Sequence, residues 1–216
     1  VKGILITLEG IDGSGKTTVS SILARRLADA LPEVRIVLTA QPTGSETGRI
    51  LRTRLSTIPH ECAPSIRARR MEELFLFMAD HADHLAGTVI PSLNAGAVVI
   101  SDRYADSTAA YQGVTLRGIV RDPVQWIREI YRPWNIVPDI TILFSIDPVS
   151  ALKRLRSRES IERFERIEFL KSVDENFLHL AALEPHRFVS VDACRNAEDV
   201  ADEAFSAILG RIGSQG

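Results

Sequence analysis

Short unbroken apolar runs alternate along this chain with longer stretches in which apolar residues return every three or four positions. The first run, residues 3–9 (GILITLE), is rich in β-branched residues and suits a buried central strand. After a glycine-rich segment, Val19, Leu23 and Leu27 fall on one helical face. Ile22 and Leu31 lie beside it, and Arg25 and Arg26 point elsewhere. A second run covers 34–39, the loop-like TAQPTG follows it, and 48–55 reads as a short helix. A long helix is predicted from Pro64 to about Val89, with Pro91 imposing a stop or a kink. Residues 97–100 and 139–146 are further buried strands, and 186–192 is a weaker fifth. Helices are predicted over 105–113, 123–131, 148–158, 162–180 and 197–211. The last has Asn196 as N-cap and Val200, Ala204 and Ile208 on one face.

Strands that alternate with helices define an α/β chain, a mostly parallel five-stranded sheet covered by helices on both faces. The 216 residues suit one domain and are tight for two, and no repeat or Pro/Gly-rich linker divides them, so 1–216 reads as a single unit. Composition is globular, 45% hydrophobic and 25% charged. With 26 Lys and Arg against 28 Asp and Glu, net charge is −2, which gives no basic coat for nucleic acid. No apolar run reaches membrane-spanning length, and the first residues do not read as a signal peptide. Cys62 and Cys194 stand far apart, without metal spacing or a disulfide framework, so a reducing cytoplasm is the expected setting.

The glycine-rich segment Gly10-Ile11-Asp12-Gly13-Ser14-Gly15-Lys16-Thr17 fits G-x-x-x-x-G-K-[ST], followed by Thr18. It sits between a predicted strand and a predicted helix, the context in which such a loop cradles phosphates. Backbone N–H groups point at phosphate oxygens and the helix N-terminus adds positive potential. Lys16 would bridge the β- and γ-phosphates, and Thr17 would ligate Mg²⁺. A chance match in a chain this long has odds of about one in a hundred, before the context is counted. Binding of a nucleoside triphosphate follows. The absence of an N-K-x-D guanine signature argues against a GTPase.

Ser101-Asp102-Arg103-Tyr104 follows another buried strand, and strand C-termini of a doubly wound sheet gather at the ligand crevice. Asp102 would reach the Mg²⁺ shell and Arg103 a phosphate. An arginine so placed can supply on the order of 10³–10⁵ in phosphoryl-transfer rate.

Several segments together resemble the thymidylate kinase family of nucleoside monophosphate kinases. LEGIDGSGKTT at 8–18 is similar to the family's P-loop, LFLFMADHADHL at 74–85 to its LLFxADRxxH helix, and SDRYADSTAAYQG at 101–113 to its DRYxxSxxAYQG segment. PDITILFSIDP at 138–148 resembles its PDxTxxLDVDP strand, and RFERIEFLKSV at 163–173 the stretch after its lid. The resemblance implies transfer of the ATP γ-phosphate to dTMP, in a homodimer formed through the long helix and its neighbours. Asp12 matches the carboxylate at the acceptor's 3′-hydroxyl, Phe77 the aromatic stacked on thymine, and Arg103 the arginine at the acceptor phosphate. Thr108 matches the position facing the base edge, with Gln112 near it, and Tyr111 the ring crowding the ribose 2′ position. The basic stretch 153–166 matches the lid that closes over ATP. Because the P-loop carries Gly13 where some members have arginine, the resemblance implies that the lid supplies that cation, with Arg158 and Arg163 as the candidates and Arg154 and Arg156 as alternatives.

Two departures from the family pattern stand out. R-E-P-G-G-T after the second strand is here Ala40-Gln41-Pro42-Thr43-Gly44-Ser45, although Arg52 downstream matches an arginine that meets the acceptor phosphate. The helix motif has His81 in place of arginine, four residues after Phe77, and so on the same side of the helix. His81 is then expected to replace the arginine's contact to the base. Two other readings stay open: another small P-loop kinase for a different nucleotide or a deoxynucleoside, or a nucleotide-binding module without transfer activity.

Overall fold

Three strands are wholly or almost wholly enclosed, and they are the runs with the densest aliphatic content: β1 (Ile4–Glu9), β3 (Val98–Asp102) and β4 (Ile140–Ser145). β2 (Ile36–Ala40) and β5 (Phe188–Asp192) are only partly covered because they form the edges. In the computed structural model, which describes residues 3–56, 65–155 and 167–213, all pair in parallel in the order β2-β3-β1-β4-β5. Leu5, Ile6, Leu8, Ile100 and Phe144 form the inner core.

The connections are helical: α1 (Lys16–Ala30), α2 (Glu46–Ser56), α3 (Ile66–His84), α4 (Ile90–Asn94), α5 (Ala105–Thr115), α6 (Pro123–Tyr131), α7 (Pro148–Leu155), α8 (Ile167–Leu183) and α9 (Ala197–Gly213). Leu23 and Leu27 of α1 are fully buried, as their spacing requires. Asn196 caps α9, its Oδ1 accepting the Asp199 N–H at 3.0 Å. The helix expected to end near Val89 runs on instead. A π-helical turn, Leu85–Val89, joins α3 to α4, and the Ile90 N–H reaches back to the Leu85 carbonyl. Pro91 has no N–H and crowds the carbonyl four residues before it; a widened turn there absorbs the misfit without ending the rod.

Register sets the crevice. Leu8 and Ala40 both pair with Asp102, so the loops leaving β1, β2 and β3 emerge side by side. Ser145 pairs with Asp192, which places the loops after β4 and β5 next to one another. β1 lies between β3 and β4, at the switch point of the sheet. A buried cation ties the start of α5 to the sheet: Arg187 makes a two-pronged pair with Asp106 at 2.7 and 2.9 Å and donates to Thr141 Oγ1 at 2.6 Å.

Candidate active site

The chain leaves β1 into Gly10 (φ 137°) and Gly13 (φ 82°), conformations that side chains rarely adopt. A Cβ on Gly10 would lie 2.7 Å from the Phe144 carbonyl oxygen, and one on Gly13 would lie 2.4 Å from that of Ala151. Both contacts forbid any larger residue while the loop stays on β4 and α7. Lys16, buried at the start of α1, folds back over the loop. Its Nζ donates to the Gly10 and Ile11 carbonyl oxygens at 2.9 and 2.8 Å and to Ser14 Oγ at 3.0 Å. Burial and the Arg103 cation push its ammonium down to about 7, against the pull of Asp12, Asp102 and Glu9. Thr17 Oγ1 donates to Asp102 Oδ2 at 2.7 Å, uniting the loop with the end of β3.

Arg103 takes φ 70°, the one non-glycine residue with positive φ among those described. The strain is held on several sides. Ser101 Oγ donates to the Arg103 carbonyl at 2.7 Å, and the guanidinium ion-pairs with Asp12. It also donates to Ser107 Oγ at 3.1 Å and to the Gly10 carbonyl at 3.3 Å, and it stands 5.1 Å from the Tyr111 ring centroid. Tyr111 Oη accepts the Asp12 backbone N–H at 2.9 Å. Burial works to raise the Asp12 carboxyl, but Arg103, Lys16 and the Tyr111 bond outweigh it and hold it below the usual carboxylate range.

Glu9 escaped the sequence reading. It is fully enclosed at the end of β1, and its carboxylate accepts the Tyr104 N–H at 2.9 Å and the Ser107 hydroxyl. Burial and the nearby Asp106 push it up to about 8, against Ser107, Arg103 and Lys16. The available signal was a lone carboxylate closing an apolar strand directly before the first loop glycine.

Two pockets flank the loop. One is lined by Asp12, Pro42, Phe77, Arg103, Ser107 and Tyr111, with Leu55 at its side. The other is lined by Gly13, Ser14, Gly15 and Thr18, and by Arg154, Arg195 and Asn196 from α7 and the loop after β5. Arg154 donates to the Ala193 and Cys194 carbonyls at 3.0 and 3.3 Å. Arg195 and Asn196 were not expected in the site; only the β4–β5 register brings them to the loop. Arg156, Arg158 and Arg163 lie outside the described residues, as do Cys62 and most of the expected lid.

Other expected residues are placed differently. Arg52 is exposed and donates to the Pro42 and Thr43 carbonyls at 2.6 and 2.5 Å, so it clamps the loop after β2. Thr108 is buried and does not line the pocket. Gln112 is fully enclosed: its Oε1 accepts from Thr115 Oγ1 at 2.7 Å, while its Nε2 has no partner among the described residues. His81 needs a correction. It is 0% exposed, boxed by the rings of Tyr104, Tyr131 and Trp134, with both ring nitrogens already engaged. Nδ1 meets Gln41 Nε2 at 2.9 Å and Nε2 meets Asn135 Oδ1 at 2.9 Å, so the imidazole presents no free donor to a base.

A parallel sheet of this order, a phosphate loop at its switch point, an Asp–Arg corner beside it and a pocket on each side define a P-loop nucleotide phosphotransferase. The family model described as thymidylate kinase matches residues 8–204. The chain is 46% identical over 213 residues to a probable thymidylate kinase of Methanosarcina acetivorans, covering 97% of each. It is 41% identical over 205 residues to one of Halobacterium salinarum, covering 95% of each. A crystal structure of thymidylate kinase from Ehrlichia chaffeensis superposes with a TM-score of 0.71 at 28% identity, covering 96% of this chain and all of that one. The chain belongs to the thymidylate kinase family.

Proposed function

We propose that this protein transfers the γ-phosphoryl group of ATP to the 5′-phosphate of dTMP, giving dTDP and ADP. The observation that carries the reading is the P-loop standing between two pockets, with Lys16 and Arg103 converging on it from within. An acceptor phosphate oxygen forms the new bond to the γ-phosphorus as the bond to the β-phosphate oxygen breaks, so the protein supplies position and charge rather than a nucleophile. ATP takes the pocket at Gly13–Thr18, with the loop amides and Lys16 on its phosphates and Arg154 and Arg195 beside the nucleoside. Ile11 and Asp12 continue the cradle through their backbone.

The acceptor takes the other pocket. Phe77 stacks on the base, Asp12 meets the sugar 3′-hydroxyl, Tyr111 crowds the 2′ position and Arg103 holds the phosphate. Arg52 supports this pocket through the loop it clamps; Thr108 and Gln112 support it from beneath, as parts of α5. Thr17 and Asp102 offer a hydroxyl and a carboxylate in contact, hard oxygen donors that suit Mg²⁺ sharing its shell with phosphates. When bound, that ion neutralises charge on the phosphates. A lid containing Arg158 and Arg163, which excludes water, belongs to the same proposal. So do a cytoplasmic setting, where ATP is drawn upon, and a homodimer, which the exposed Phe75 of α3 supports. Among the described residues no helix is long and apolar enough to cross a membrane.

The test is ADP release over dTMP, dUMP, dCMP, AMP and thymidine. Turnover highest with dTMP is expected. Preference for thymidine or another nucleotide would move the assignment to a different kinase, and ATP binding without turnover on any acceptor would reduce the protein to a binding module.

A further inference from the structure

Two of the three positions where the sequence lacks its family's charged residues, Gln41 and His81, touch each other. The contact is part of a longer chain. Gln41 Nε2 lies 2.9 Å from His81 Nδ1 and 3.0 Å from His84 Nδ1. On the far sides, His81 Nε2 meets Asn135 Oδ1 at 2.9 Å and His84 Nε2 meets Thr39 Oγ1 at 2.8 Å. Gln41 Oε1 also stands 3.3 Å from His81 Nδ1, but Nε2 is nearer and is the atom within reach of both rings. A carboxamide nitrogen has two protons and accepts nothing, so both Nδ1 atoms accept and each ring carries its proton on Nε2. His81 then donates to Asn135 and His84 to Thr39. Both imidazoles are neutral: burial lowers each, His81 to about 4. The titratable groups facing them are Tyr104 and Tyr131 around His81, and Asp80 and Asp83 beside His84.

The corner anchored in this way bears on the acceptor pocket. Gln41 precedes Pro42, which lines that pocket opposite Asp12 and Arg103. The neighbouring Thr43 N–H is taken by Asp80 Oδ2 at 2.9 Å. Asp80, His81 and His84 all project from α3, the helix that also presents Phe77. We propose that Gln41 is a positioning residue of the acceptor pocket, its single carboxamide donating to two neutral imidazoles of α3 and so fixing Pro42 relative to Phe77. It acts through Pro42 and does not touch the acceptor. This inference rests on the acceptor assignment above.

The first test needs no substitution: long-range ¹⁵N NMR of the imidazoles near neutral pH, assigned with His81→Gln and His84→Gln. Nε2–H signals for both residues are expected, and an Nδ1–H signal or an imidazolium at either overturns the proposal. The second test is steady-state kinetics of Gln41→Met, which keeps the volume and removes both donors. The dTMP KM is expected to rise about tenfold, with kcat and the ATP KM within about threefold of the parent, as for a lost pair of buried hydrogen bonds acting on one site. A dTMP KM within about twofold of the parent, or a parallel rise in both KM values, overturns it. If Gln41→Met fails to fold, Gln41→Glu keeps the shape and must shift one imidazole to Nδ1–H or to the cation; unchanged imidazole signals there overturn the proposal. The parent protein's own turnover of dTMP tests the underlying assignment separately.

Discussion

Lys16 and Arg103 point at the same atom: the carbonyl oxygen of Gly10 accepts from Lys16 Nζ at 2.9 Å and from Arg103 Nη1 at 3.3 Å. In the proposed function the donor and acceptor phosphates meet beside these two cations. Lys16→Ala and Arg103→Ala are each expected to lower kcat by at least ~100-fold with melting temperatures near the parent's, since each removes a charge partner of the transition state. Near-normal turnover in either would contradict the assignment.

Tyr111 does two jobs through different atoms. Its hydroxyl accepts the Asp12 N–H, and its ring lines the pocket shared with Phe77 and Arg103, the one proposed for the acceptor. Tyr111→Phe is expected to raise the dTMP KM about three- to tenfold, the effect of one lost hydrogen bond, without changing preference for deoxyribose. Tyr111→Ala should raise kcat/KM for ribothymidine monophosphate relative to dTMP. An unchanged ratio in the alanine variant would remove the ring from sugar selection.

Glu9 supports the strained Arg103 corner by accepting from Tyr104 N–H and from the Ser107 hydroxyl, whose oxygen in turn accepts from Arg103. Replacing it with Gln sets an N–H against that hydroxyl and leaves Ser107 without its acceptor. Above about pH 8, where the Glu9 carboxyl is ionised and accepts through both oxygens, a loss of about tenfold in kcat is expected for Glu9→Gln at saturating substrates. Parent-like kcat would show that the corner holds itself.

The buried histidine makes stability depend on acid. His81 is lowered from 6.5 to about 4 by burial, against its bond to Asn135. Below 6.5 the unfolded chain takes up a proton that the folded protein declines until about 4. Stability is therefore complete above that window and falls as pH drops through it, by roughly 3 kcal/mol in all. His84, also lowered by burial, acts in the same direction. Urea midpoints across the window should show a shallower acid limb for His81→Gln. Equal slopes in the two proteins would place the acid sensitivity elsewhere.

Arg187 is 5% exposed and joins Asp106 of α5 to Thr141 of β4. Arg187→Met leaves Asp106 buried without its cation, and a loss of about 3–5 kcal/mol in unfolding free energy is expected. Asp106→Asn/Arg187→Met removes both charges and should recover part of that loss. No recovery would mean that packing, not charge, dominates there.

The elements whose physics is local were legible in the sequence. β1, β3 and β4 are enclosed on both faces, so they read as unbroken aliphatic runs. The phosphate loop must be glycine-rich because a strand and a helix press on it at Phe144 and Ala151. Edge strand β5 read weakly because half of it faces water. Pro91 misled for a related reason: its cost to a helix is local, but the remedy, a widened turn one step earlier, depends on α3 and α4 being packed as one rod.

Tertiary structure alone decided what His81, Gln41, Glu9 and Arg195 do. A motif aligns His81 with a base-contacting position, yet the rings of Tyr104, Tyr131 and Trp134, all distant in sequence, close over it. Its partner Gln41 comes from the end of another strand. Strand, helix and phosphate loop follow from the order of residues because neighbours in the chain impose them. Burial and hydrogen-bond partnership follow from which segments meet, and only the folded sheet determines that.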